Sequence, residues 1–136
     1  MSIAIITSPN QWFVPHARTL SERLGNAEVY FDQSKITGKF DILFILSFHE
    51  LIKKDVLERN SHNIVVHASS LPEGKGWSPL MWQILAGQNN IVFSLFEAVE
   101  EVDAGPIYLT QTLELNGFEL NPELRSKQGD LVIKMC

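Results

Sequence analysis

Phe40-Asp41 runs into Ile42-Leu43-Phe44-Ile45-Leu46, five apolar residues with no polar break. A run of this kind belongs to a strand covered on both faces, the environment of an interior strand in a parallel sheet. Covering both faces requires helices on each side, so this segment already asks for an α/β domain. The rest of the sequence supplies the parts. Ile3-Ala4-Ile5-Ile6-Thr7 predicts a first strand, ended by Ser8-Pro9-Asn10. From Trp12 to Leu24, apolar residues at 13, 17, 20 and 24 keep helical spacing, with Pro15 in the first turn and Gly25-Asn26 as the stop. Ala27 to Phe31 reads as a strand, Leu51 to Leu57 as a short helix, and Asn63 to His67 as another strand. A loop from Ala68 to Pro79 is rich in turn formers. Leu80 to Leu85 predicts a helix, and Ile91 to Ala98 and Ile107 to Leu115 two further strands. A last helix starts near Asn121-Pro122, with proline at its first position. Its apolar spacing holds to the final residue and no Gly, Asn or Pro closes it, which predicts a domain cut short at its C-terminus. The expected architecture is one α/β domain over residues 1–136, a mostly parallel sheet flanked by helices.

Composition narrows the functional classes. The chain carries 11 Lys and Arg against 16 Asp and Glu, a net charge of −5. A protein that grips phosphate backbones carries the opposite sign, so no nucleic-acid partner is expected. The single cysteine, Cys136, excludes an internal disulfide and a multi-cysteine zinc site. No apolar run approaches the roughly 20 residues that span a bilayer. With no basic, apolar leader at the start either, the expectation is a cytoplasmic protein without membrane contact.

Most chemical signatures are absent. Gly74-x-Gly76 leads to Pro79 rather than a third glycine, and no phosphate-binding P-loop occurs. His49-Glu50 begins a zincin-like pattern, but Lys53 stands where the second histidine belongs, so no metal is expected. Two residues remain. His67 closes an apolar strand and opens a loop of small residues, the place where open α/β sheets bind ligands. Asp103 lies in Val102-Asp103-Ala104-Gly105-Pro106. Taken alone, the first reads as a strand-capping histidine and the second as a turn aspartate.

Together they read differently. His67-Ala-Ser69-Ser-Leu71-Pro72-Glu-Gly-Lys75-Gly76-Trp-Ser-Pro79, followed by Val102-Asp103-Ala-Gly105-Pro106-Ile107, resembles the 10-formyltetrahydrofolate-dependent formyltransferase family. That family includes methionyl-tRNA, glycinamide-ribonucleotide and sugar-nucleotide formyltransferases. The variant Gly76-Trp77-Ser78-Pro79-Leu80, with the opening Ile6-Thr7-Ser8-Pro9-Asn10, is most similar to the subgroup that formylates nucleotide-linked amino sugars. A looser match extends over residues 1 to about 135. The resemblance implies a Rossmann-like fold and an enzyme, an N-formyltransferase with 10-formyltetrahydrofolate as cofactor and a small-molecule partner.

It also implies roles. Formyl transfer passes through a tetrahedral, negatively charged intermediate and moves a proton from the attacking amine to the departing folate nitrogen. By resemblance, His67 serves that proton and oxyanion, and Asp103 pairs with it. Ser47, Phe48, His49, Ala98, Val99 and Val102 fall in the segments that hold the folate. Ser8, Asn10, Ser69 and Lys75 are candidates for the substrate. Trp77 and Trp82 read as core or loop anchors. One position departs from the pattern: the family's asparagine lies two residues before the histidine, and Val65 stands there. Asn63 shares its strand face, about 6.6 Å away, and is the candidate replacement. Alternatives therefore stay open: a methionyl-tRNA formyltransferase-like fragment, or a folate- or sugar-binding module without turnover. The sequence leaves the oligomeric state unknown.

Overall fold

The apolar runs become strands of one six-stranded sheet, in a computed structural model that describes residues 1–136. In chain order the strands are β1 (Ile3–Ile6), β2 (Glu28–Tyr30), β3 (Ile42–Ile45), β4 (His62–His67), β5 (Asn90–Glu97) and β6 (Ile107–Glu114). The helices are α1 (Val14–Arg23), α2 (Lys54–Arg59), α3 (Pro79–Leu85) and α4 (Asn121–Met135). Across the sheet the order is β2-β1-β3-β4-β5-β6. The pairings of β1 with β2, β1 with β3, and β3 with β4 are parallel. β5 and β6 then return antiparallel as a hairpin, which needs no crossover helix.

The apolar run at 42–46 is covered on both faces, as its composition requires. Phe44 and Leu46 join Ile5, Ile64 and Phe93 in a cluster covered by α1, α3 and α4. Leu43 and Ile45 join Ala4, Ile6, Phe40 and Val56 on the opposite face, under α2. α1 and α4 meet closely on the first face: a Cβ on Gly129 would lie 2.4 Å from the His16 ring, which would have to swing aside to admit it. No helix is long and apolar enough to cross a membrane.

One boundary moves for a clear reason. The helix expected from Leu51 begins at Lys54, because Gln33 claims the segment before it. Gln33 Nε2 donates to Leu51 O (3.0 Å), and Gln33 Oε1 accepts from the Lys53 N–H (2.9 Å). Gln33 is buried in a single 3₁₀ turn, Gln33–Lys35, that the sequence reading did not anticipate. Trp77 and Trp82 are also corrected: they are 60% and 70% exposed, so neither is a core residue. Trp82 shares the outer side of the short helix α3 with Leu85, also exposed.

Candidate active site

The parallel strands β1, β3 and β4 end at one edge of the sheet, and the loops that follow them open a cleft of about 280 Å³. Ligand sites of open α/β sheets form at this edge. The cleft straddles the sheet. Phe13, Leu80 and Val132 line one part and belong to the core under α1, α3 and α4. Phe48, Val65 and Ala98 line the other and pack with the core under α2.

His67, at the end of β4, and Asp103 both line it. Their side chains retain only 11% and 12% exposure, and His67 Nε2 lies 3.5 Å from Asp103 Oδ2. The same carboxylate oxygen accepts the Gly76 N–H at 2.8 Å, and His67 Nε2 is 2.8 Å from Gly74 O. A carbonyl can only accept, so Nε2 carries the hydrogen, shared between Gly74 O and the carboxylate. Nδ1 has no protein partner. In the neutral ring it is therefore the proton acceptor.

Local sequence explains how Asp103 gets there. A Cβ on Gly105 would fall 1.7 Å from Glu97 O, so glycine alone lets this turn lie against β5. The Glu97 N–H donates to Pro106 O at 3.0 Å, fastening the turn. Asp103 itself sits at φ 54°, left-handed backbone that aspartate tolerates better than most residues. Ser47, on the facing loop, has φ 51°. Gln11 steadies it by donating to Ser47 O (3.3 Å) and accepting from Ser47 Oγ (3.0 Å).

The other anticipated residues divide. Ser47, Phe48, His49, Ala98, Val99 and Val102 all line the cleft. Ser8, Asn10, Ser69 and Lys75 do not. Ser8 Oγ accepts the His49 N–H at 2.8 Å, which makes Ser8 a brace for the 47–49 loop. Asn10 and Lys75 are exposed. Ser69 is buried with its hydroxyl unpartnered, while its carbonyl accepts from Ser94 Oγ at 2.7 Å. Asn63 is a correction. Its amide nitrogen donates to Leu57 O (2.9 Å) and its oxygen accepts from Asn60 Nδ2 (2.9 Å), committing the side chain to the end of α2. It does not reach the cleft, which leaves Val65, half-buried and on the lining, at the position in question.

Trp12, Arg125 and Gln128 also line the cleft, and none of them was among the anticipated site residues. The Arg125 guanidinium lies over the Trp12 ring, 4.7 Å from its centroid, and Nη1 donates to Gln128 Oε1 at 2.9 Å. Burial pushes the Arg125 pKa down from its ordinary value. Helical spacing marked α4 for its apolar stripe, and nothing in the pattern singled out one arginine on its flank.

Comparison with known proteins places the fold and the family. The methionyl-tRNA formyltransferase of Mycoplasma capricolum subsp. capricolum is 27% identical over 110 residues, covering 80% of this chain and 34% of that protein. The chain thus spans about a third of the length of the curated relatives it matches. The structure of methionyl-tRNA formyltransferase from Clostridium thermocellum superposes with a TM-score of 0.81 at 18% identity, over 98% of this chain and 61% of that one. A 4-N formyltransferase from Francisella tularensis gives 0.67 at 18% identity, over 98% and 67%. These likenesses establish a shared fold. The sequence model of the formyl transferase family matches residues 5–127, a stretch that holds the whole His67–Asp103 site, and the chain belongs to that family.

Proposed function

We propose that this chain is the catalytic domain of an N-formyltransferase, which moves the formyl group of 10-formyltetrahydrofolate to the amine of a nucleotide-linked amino sugar. The observation that carries the reading is the His67–Asp103 pair, sequestered in the cleft with one imidazole nitrogen fixed and the other free. The cleft fits the donor on its α2 side. Phe48, Val99 and Val102 offer apolar surface there, and the backbone N–H groups of Phe48, Glu50, Val99 and Val102 have no acceptor within the chain. A reduced pterin presents a flat ring and a row of polar edge atoms, the complement of such a surface. When bound, the donor supplies the formyl carbon.

The residues present do the rest. His67 Nδ1 takes the proton released as the amine nitrogen bonds to the formyl carbon. It returns that proton to the folate nitrogen as the old carbon–nitrogen bond breaks. Asp103 holds Nε2–H, and so the ring, in the required tautomer through both steps. Val65 supplies no hydrogen bond to the oxygen on which charge develops. A missing donor of this kind commonly costs about 2.7 to 4 kcal/mol of barrier, so turnover is slow.

Three observations bear on the acceptor. The net charge of −5 and the motif Gly76-Trp77-Ser78-Pro79-Leu80 support a small amino sugar. The similarity to methionyl-tRNA formyltransferases supports a second reading, with aminoacyl-tRNA as acceptor. The protein is incubated with 10-formyltetrahydrofolate and a panel of nucleotide-linked amino sugars, with charged initiator tRNA alongside, and products are detected by mass. Formylation of a sugar, abolished by His67→Ala, is expected. Equal product from the wild type and His67→Ala would end the catalytic reading, and a chain that binds reduced folate without any transfer is a binding module.

A further inference from the structure

Arg125 is the one cation that lines the cleft, and it has no carboxylate. The chain's ion pairs involve Lys54, Arg59, Lys127, His62 and His67; none includes Arg125, although acidic residues outnumber basic ones. Its guanidinium is instead held by neutral neighbours, 4.7 Å above the Trp12 ring centroid and tied to Gln128 through Nη1. The remaining N–H donors have no acceptor in the chain. Trp12 follows β1, and Arg125 and Gln128 lie on α4, so this trio borders the part of the cleft opposite Phe48, Val99 and Val102. The acidic lining residues Glu50, Glu100 and Asp103 all belong to loops other than these.

We propose that Arg125, held over Trp12 and steadied by Gln128, is an anion-binding residue that takes a phosphate group of the acceptor substrate. The planar fork matches two phosphate oxygens at once, and the Trp12 ring and Gln128 hold the guanidinium in place before the ligand arrives. The surrounding acid excess disfavours a polyanion lying across the surface, so the ligand is a small phosphorylated molecule rather than an extended nucleic acid. This rests on the formyl-transfer reading only in calling the ligand the acceptor; the anion site stands on its own geometry.

The test is calorimetric titration of the chain with inorganic pyrophosphate, for the wild type, Arg125→Gln and Arg125→Lys. Wild-type binding should weaken by about 10- to 100-fold in Arg125→Gln, the loss of charge-assisted hydrogen bonds, and partly recover in Arg125→Lys. Equal affinity in the wild type and Arg125→Gln overturns the proposal, as does no wild-type binding at about 10 mM, weaker than any useful site. A single-stranded oligonucleotide that binds more tightly than pyrophosphate overturns the assignment to a small ligand. If Arg125→Gln fails to fold, the Arg125 side-chain N–H resonance of the wild type decides: it should shift on adding pyrophosphate, and no shift overturns the site. The two readings fail separately. Pyrophosphate binding without formyl transfer sinks the enzyme and spares the site; His67-dependent transfer without pyrophosphate binding does the reverse.

Discussion

His67 Nε2 and the Asp103 carboxylate, 3.5 Å apart, are joined a second time through the loop between them: Gly74 O faces the imidazole while the Gly76 N–H donates to the carboxylate. Asp103 therefore orients the ring and pins the loop with the same oxygen. Asp103→Asn retains an acceptor for Gly76 but loses the carboxylate that faces the imidazole. Formyl transfer is expected to fall by roughly 100-fold or more, the usual scale of a proton-transfer partner. Thermal unfolding should change little. A variant with full turnover would show that His67 works without its partner.

Val65 offers a gain-of-function test. It pairs with Ile45 on one side and Phe96 on the other, among apolar side chains. Val65→Asn places an amide on the cleft lining beside His67. Turnover should rise, by at most about 100- to 1000-fold if the whole of a missing oxyanion donor is restored. Stability should drop by about 1–3 kcal/mol, the usual effect of a poorly paired polar group in an apolar site. Steady-state kinetics and urea unfolding of one preparation check both. A fall in turnover in a folded variant would mean that Val65 is shaped for another purpose.

Asn63 should behave as a structural residue. Asn63→Ala removes the bond to Leu57 O and takes an acceptor from Asn60, which keeps its bond to Val56 O (3.0 Å). A loss of about 1–3 kcal/mol in denaturant unfolding is expected. Turnover at a temperature where the variant is folded should be unchanged. Lost activity in a folded N63A chain would return Asn63 to the site.

Gly105→Ala tests the turn that carries Asp103. The added carbon would overlap Glu97 O at 1.7 Å, and the neighbour is backbone, so the turn must leave β5. A destabilisation of about 3 kcal/mol or more is expected, with loss of turnover because Asp103 moves with the turn. Unfolding curves that overlay the wild type would show that the turn shifts freely.

A pH effect is expected away from the cleft. The Tyr30 hydroxyl donates to the Glu28 carboxylate, and that bond, with burial and the Glu28 charge, pushes the phenol up to about 12. A raised pKa means that the folded state prefers the neutral phenol. The contact therefore supports the fold fully below pH about 10, the unperturbed value, and its contribution fades as pH rises toward 12. Spectrophotometric titration should show one late phenolate step, which moves to lower pH in Glu28→Gln. An unmoved step would assign the shift to burial alone.

The sequence was most legible where one physical demand acts alone. Two-sided burial of residues 42–46 shows in composition, and the pairing of His67 with Asp103 was implied by the family resemblance that their two linked motifs carry. It was least legible where a polar side chain serves a distant neighbour. Gln33 caps a segment near residue 51, and Asn63 is consumed by α2; both look like ordinary polar residues until the fold brings their partners together. Arg125 escaped because its contact with Trp12 joins the entrance of α1 to α4, across more than 100 positions of chain. The antiparallel return of β5 was equally silent, since strand residues do not record the direction of their neighbour.

Asp103 holds its place against the preference of its own backbone. At φ 54° a side chain brings a steric cost of order 1 kcal/mol that glycine avoids, and asparagine tolerates the same region. Selection for heat resistance alone, applied to a library of this chain, should accordingly accept asparagine at position 103 as readily as aspartate, because asparagine tolerates the same backbone and keeps an acceptor for the Gly76 N–H. Selection for product should hold aspartate there. Competing the two regimes would measure how far the carboxylate at this position is kept for chemistry rather than for folding.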